Sequence, residues 1–549
     1  MPSFTARWGL SRLNPGTVND NADTQRMRLP TQLSRDYSLY SMIGYMVVIA
    51  LTYPYVLVST PLGLANGGTG GAFWVFVVVC VGMFSMAVSM AEMVSIEPSA
   101  GGQYHWVTKF APHKYHRPLG FFVGWMSALG WQSIIPGVAY VAATNIQALA
   151  VIWHPTYVPT GWEAVGITIF FCIAATIFNI FLRPKVPFIE VTVLLAYIVM
   201  FIVLIAVFFG INAPSHLDGH ILVDIQDNSD WGSLAGACFI GLSGPVITLI
   251  GSDSGVHLAE EVKDSSKTTP TAMLSVPLIN YFLGILTLAA FLLRIDNLDE
   301  VLDTPTLVPY IQVLLNVVQS RAAVTVIISW MILFFVFGAF NSNVTTSRQL
   351  YALAREGGFP FPKFVSHVSP QTRVPMNAAI ITCLIGILIS LIAGASSFAF
   401  LVIQTIGNSG LLTSYMITIG CRLYHRNCVS LYGTRDDPPP FFLGKFWGNA
   451  INIFAIICAF TFFVIGFFPV APHPTSSTFN WSIVFYVGIG LLAVPVWFFS
   501  VRHNFGRMAT SVASPPSEPV ETDTKGDLNL NVARRSDKRI MKMKIATLT

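Results

Sequence analysis

Apolar runs about twenty residues long alternate along this chain with short polar stretches. About 20 such residues cross the hydrocarbon core of a bilayer as an α-helix. By that measure twelve spans are predicted: 38–62, 72–96, 118–152, 163–182, 189–210, 234–258, 273–293, 322–354, 376–393, 398–421, 447–468 and 481–501. The expected fold class is an all-α polytopic membrane protein, in contact with the lipid bilayer along most of its length.

Two spans are interrupted. In the first, Pro54 removes a backbone donor and clashes with the preceding turn, so the helix should kink or open near 50–53. In the sixth, Gly241, Gly244 and Pro245 precede Gly251-Ser252-Asp253-Ser254-Gly255. Irregular backbone survives at membrane depth only where it is buried in protein or lines a cavity. Spans three and eight are the longest, and they too are five apart. Two five-helix repeats of inverted topology would give this spacing, with substrate and coupling ion between the broken helices. The chain then divides into a cytoplasmic tail (1–37), a first repeat (38–210), a second repeat (234–421), two further helices (447–501) and a disordered cytoplasmic tail (502–549).

Composition agrees with that pattern. Of 549 residues, 53% are hydrophobic and 11% charged, against about 25% charged in an average soluble domain. Every Lys and Arg except Arg294 and Arg321 falls on one side of the twelve-span map, which places both termini in the cytoplasm by the positive-inside rule. The net charge of +4 therefore reflects topology and does not point to nucleic acid. No apolar core precedes Tyr37, so no cleavable signal peptide is expected. The basic run at 534–544 either touches anionic lipid or is simply solvated.

Asp253 stands out chemically, because a carboxylate on a broken helix at membrane depth marks a functional site. It is placed to bind a substrate ammonium, to carry a coupling proton, or to cap the second half of its helix. An opened helix also offers free amides to a carboxylate and free carbonyls to an ammonium, so a zwitterion or quaternary amine needs few charged side chains. His257, with Glu260 and Glu261 beyond it, forms either a proton relay and gate or an interfacial cluster. Gln132 and Asn341 are polar at membrane depth and are expected to face the bundle interior. Tyr53, Trp131, Trp330 and Phe340 either wall a cation or pack the core. Glu92 and Glu190 read as interfacial. The seven cysteines have no paired spacing, so no disulfide framework or zinc site is suggested. The sequon Asn480-Trp481-Ser482 lies almost against the membrane, where modification is not expected. No phosphate-binding loop or nucleophile elbow occurs, so neither an enzyme nor a primary pump is indicated, and no cofactor is expected.

Three motifs carry a family resemblance. Glu97-Pro98-Ser99-Ala100-Gly101-Gly102-Gln103-Tyr104-His105-Trp106 resembles the signature of fungal amino acid/choline permeases, within the amino acid–polyamine–organocation superfamily. The stretches Ser347-Arg348, 354–361 and 374–377 resemble the second signature of that family, and 253–261 its span-six motif. The likeness runs from about 35 to 502. It implies a leucine-transporter-type fold with ten core helices in inverted repeats plus two more. It also implies proton-driven import of a small amino acid, 4-aminobutyrate, choline or a related amine. Substrate contacts are implied at Ala50, Thr52 and Tyr53, at Ile250, Gly251, Ser252 and Asp253, and at Asn341. Gln132 joins this set by its depth, and Asp253, His257 and Glu260 are the candidates for proton coupling. The chain departs from many relatives at Thr52-Tyr53-Pro54 and at Ser254-Gly255, and its fifth span has no Lys or Arg. The expected home is the plasma membrane, with the vacuolar membrane as alternative. A non-transporting nutrient sensor of the same fold is the competing reading.

Overall fold

The computed structural model describes residues 14, 16–27, 32–210, 219–296, 298–469, 472–475 and 479–506. The expected disordered tail beyond 506, with its basic run, lies outside them, as does most of the segment before Gly16. Among the described residues the chain is helical throughout, apart from one isolated bridge between Tyr37 and Val262.

The α-helices of seven residues or more, in chain order, are α1 (Val18–Met27), α2 (Leu39–Ala50), α3 (Thr52–Ile96), α4 (Gln103–Phe110), α5 (His116–Trp153), α6 (Gly161–Phe181), α7 (Val186–Gly210), α8 (Leu234–Gly241), α9 (Ser243–Leu249), α10 (Ser265–Leu292), α11 (Pro309–Val318), α12 (Arg321–Arg355), α13 (Met376–Ala395), α14 (Ser397–Cys428), α15 (Phe446–Ile465) and α16 (Ser482–Val496). Ten stretches among the described residues are long and apolar enough to cross a bilayer. One of them, Leu39–Ile96, has 58 residues. A straight helix of that length would reach about 87 Å, far beyond a hydrocarbon core of about 30 Å. It is broken at Leu51 and again at Gly68, whose φ of 67° and ψ of −166° are not helical. The broken stretch 234–261 adds one more apolar segment, so the arrangement is consistent with twelve spans and paired repeats.

Local chemistry explains where the elements begin. Ser38 and Ser41 form a reciprocal capping box at the start of α2, Thr160 and Glu163 do the same for α6, and Ser396 caps α14. At Gly68 the loop from α7 to α8 presses against the chain. Gly70 N–H donates to Asp224 O at 2.9 Å, and a Cβ on Gly70 would lie 2.7 Å from that residue's backbone. A side chain there would push the loop away.

α3 packs along α10, α5 against α12 and α14, and α2 against α7, α10 and α12. Phe170, Phe188, Ile202, Phe282, Leu388, Phe460 and Leu491 are exposed on the outside of the bundle. An apolar outer surface of this kind is what lipid requires.

Candidate functional site

The first break falls at Leu51, which takes a left-handed conformation (φ 44°, ψ 37°). α3 restarts at Thr52, so Pro54 occupies its first turn, where a missing N–H costs nothing. Had the helix continued, the Pro54 ring would have struck the carbonyl of Ala50. The Leu51 side chain is fully buried against α12 at Gly338, where a Cβ would come within 2.3 Å of Leu51 Cδ1. The second break runs from Ile250, extended at φ −72° and ψ 157°, to Gly255. Gly251 has a φ of +94°, a region open to glycine and little else. Helical geometry resumes as a 3-10 turn, Val256–Glu261.

The two breaks face one another. A Cβ on Gly255 would meet Met46 Sδ at 2.5 Å, and Ser59 and Thr248 hydroxyls bond at 2.7 Å between α3 and α9. Between them lies a narrow cavity of about 20 Å³, partly open to solvent, with room in this conformation for little more than a water molecule. Its lining includes Ala50, Thr52, Ile250, Gly251 and Ser252, together with Asn280 and Tyr281 of α10. Ser252 Oγ and Asn280 Oδ1 are buried without a hydrogen-bond partner. Among the described residues no charged side chain borders this space.

Asp253 is fully buried behind that lining, with its carboxylate turned to four side chains. Tyr415 OH donates to Oδ1 at 2.5 Å, Gln103 Nε2 to Oδ2 at 2.6 Å and Trp131 Nε1 to Oδ2 at 3.1 Å. His257 Nε2 lies 3.3 Å from Oδ2, while its Nδ1 sits 2.9 Å from Ala100 O. A carbonyl only accepts, so Nδ1 carries a hydrogen. Nε2 is therefore the ring nitrogen that faces the carboxylate, beside the three donors already bonded to it.

Buried ion pairs cluster on the side of the bundle near the chain ends. Glu260 is held by Arg355 through contacts of 2.7 and 2.8 Å. Glu261 joins Arg183 and Arg348, each at 2.9 Å. Glu97 meets Arg26 at 2.7 Å, and His105 bridges Glu97 and Glu356 at 3.2 Å on each ring nitrogen. Burial opposes charge on both Glu97 and His105. Their mutual bond, with Arg26 and Glu356, prevails: the Glu97 carboxyl is pulled down to about 2 and the His105 imidazole pushed up to about 9.

The remaining candidate residues lie elsewhere. Tyr53 N–H donates to Tyr197 OH of α7, which thereby caps the start of α3, and Tyr53 OH donates to the Tyr197 carbonyl. Gln132 donates to Thr382 of α13 at 3.2 Å. Asn341 donates to Glu190 at 3.0 Å. Neither Tyr53, Gln132, Asn341 nor Asp253 borders the cavity. Trp330 is exposed on the outer surface and Phe340 packs on Phe178, so of the two readings Phe340 takes core packing and neither ring walls a cation there. Glu92 and Glu190, read as interfacial, are fully buried. The sequon Asn480 is engaged with the carbonyls of Gly466 and Phe468. Tyr281, Asn280 and Tyr415 were not singled out from sequence. Their only signal is a polar group inside an apolar span, and for tyrosine that signal is faint.

A sequence model described as amino acid permease matches residues 38–489. The choline transporter of Saccharomyces cerevisiae is 26% identical, over 87% of this chain and 84% of its own. The GABA-specific permease of the same yeast is 25% identical, over 87% and 83%. Among solved structures, a manganese transporter of Eremococcus coleocola superposes with a TM-score of 0.52, covering 85% of this chain and 95% of that one. At 15% identity this last likeness speaks for the fold alone. The chain belongs to the amino acid permease family.

Proposed function

We propose that this permease imports a small amino acid, 4-aminobutyrate, choline or a related organic amine with protons, by alternating access. The observation that carries the reading is the cavity between the two unwound segments. Its polar lining is neutral, formed by Thr52, Ser252, Ser254, Asn280, Tyr281 and the opened backbone. Peptide dipoles at broken helix ends suit the opposite charges of a zwitterion, or a compact ammonium, better than a polycation. The contact of Asp253 with His257 lies one residue behind that lining, which suits proton coupling. Glu260, a relay candidate by sequence, is committed to Arg355 and belongs with the closed gate. The two five-helix repeats are 38–210 and 234–421 in this reading, with the chain ends in the cytoplasm and the plasma membrane as home.

The ion pairs near the chain ends describe a conformation shut on that side. A substrate drives the cycle only through differing affinity for the two open states. The test is uptake of labelled amino acids, 4-aminobutyrate, choline and spermidine by cells displaying the protein, with and without a proton ionophore. Ionophore-sensitive accumulation of one small amine or amino acid is expected. If the protein reaches the surface and nothing accumulates, the transport reading is overturned in favour of a sensor.

A further inference from the structure

Glu190 lies four residues into α7 and is fully buried. α2 approaches it so closely that a Cβ on Gly44 would stand 2.8 Å from the Glu190 carbonyl oxygen. Its Oε2 accepts from Asn341 Nδ2 of α12 at 3.0 Å, and its Oε1 has no hydrogen-bond partner. Asn341 also ties α12 to α2, since Tyr45 OH donates to Asn341 O at 2.8 Å. Three helices therefore meet at this carboxyl group.

The neighbouring buried glutamates are each matched to a cation. Glu92 has Arg422 and Arg426, Glu97 has Arg26, Glu260 has Arg355, and Glu261 has Arg183 and Arg348. Among the described residues no Lys, Arg or His forms an ion pair with Glu190. Tyr45 of α2 and Tyr37 just before α2 lie within electrostatic reach of Glu190, and both also lie within reach of Arg348 of α12 and Glu261. Arg348 is spent on Glu261 and Asn179, and Arg183, before α7, is spent on Glu261 as well. An ionised carboxylate here would be an uncompensated buried charge.

We propose that Glu190 is a proton-binding site of the transport cycle, distinct from the Asp253–His257 pair, and that its proton latches α2 to α7 and α12. The neutral acid fits the closed junction, with the proton on Oε1. Breaking that O–H bond sends the proton to water and leaves a charge that only solvent can match, so release and separation of α2 from α7 go together. The N–H of Asn341 is aimed at the carboxyl group, where a bound metal cation would call for an oxygen. This favours a proton over sodium.

The inference rests on the transport reading, and two readouts separate their failures. In liposomes, Glu190→Gln keeps an acceptor for Asn341 but cannot release a proton. Under a one-unit pH gradient it should lose the roughly tenfold accumulation that one coupled proton supports, while exchange of labelled for unlabelled substrate is kept. Unchanged pH-driven accumulation overturns the proposal, and so does a sodium-driven component that the variant abolishes. The second readout needs no substrate. Hydrogen exchange of α2 amides, corrected for intrinsic rates, should lose protection as pH rises in the wild type and stay flat in Glu190→Gln. A flat profile in both also overturns it. The expected pH response in a wild type that transports nothing would leave the latch standing and remove only the transport reading.

Discussion

Asp253 is surrounded by donors, and of these only His257 can also accept a proton back. Replacing Asp253 with Asn removes the charge that strengthens the bonds from Gln103, Trp131 and Tyr415, each worth about 1.5–3 kcal/mol when charge-assisted. It also removes the carboxylate that His257 Nε2 faces at 3.3 Å. Accumulation should fall about tenfold or more, or its pH optimum should shift, with surface expression retained; uptake assayed across pH 5 to 8 checks this. Outside the membrane, His105 permits a signed prediction. Its imidazole moves from an ordinary 6.5 up to about 9, because Glu356 and Glu97 outweigh the opposing effect of burial. The stabilisation is thus complete below pH 6.5 and is lost as pH rises through 9. Glu97, drawn from 4.5 down to about 2, contributes fully above pH 4.5 and loses its share as pH falls through 2. His105→Gln should therefore lower stability by on the order of 3 kcal/mol at pH 6. The difference in Tm from wild type should close by about pH 10, as measured by thermal unfolding in detergent.

At the level of elements, the two breaks were legible because glycine and proline act locally. Pro54 forbids continuity with Ala50 from within its own turn, and Gly251 is needed where φ reaches +94°. What the breaks pack against was not legible. Gln103, Trp131 and Tyr415 reach Asp253 from α4, α5 and α14, and a one-dimensional pattern holds no record of that convergence. Hydropathy likewise placed Glu190 at a helix end without showing that α2 and α12 cover it. Depth along a span can be counted from sequence, but rotation about it cannot where apolar residues surround the helix. Gly338 shows the same limit. Its role is to leave room for Leu51, and Gly338→Ala should cost about 1–3 kcal/mol by overpacking. Because the strain falls on the first break, substrate affinity should drop along with thermal stability. A change in stability alone would place Leu51 outside the working site.

For the whole molecule, the alternation between two open states that we propose would turn on the ion pairs near the chain ends. They draw on distant segments: Arg183 before α7, Arg348 and Arg355 on α12, Glu260 and Glu261 beyond the second break, and Arg26 on α1. The membrane-length apolar helices were readable from sequence, because lipid acts on every residue alike. The ion-pair cluster near the chain ends was not, since its arginines looked like ordinary loop charges. Removing one partner of a buried pair leaves the other unmatched, at a cost of about 3–5 kcal/mol, and opening to water relieves that cost. Glu260→Gln strands Arg355, while Glu261 still holds Arg183 and Arg348. The equilibrium should therefore move toward the conformation open near the chain ends without general unfolding. A shift from 1:99 to 99:1 takes about 5.5 kcal/mol, so loss of this one pair should bring the two states within reach of each other. A cysteine placed at Ala50, on the cavity wall, should then react faster with a membrane-impermeant thiol reagent supplied from that side. Unchanged reactivity with intact folding would mean that Glu260 and Arg355 brace the scaffold and do not gate it.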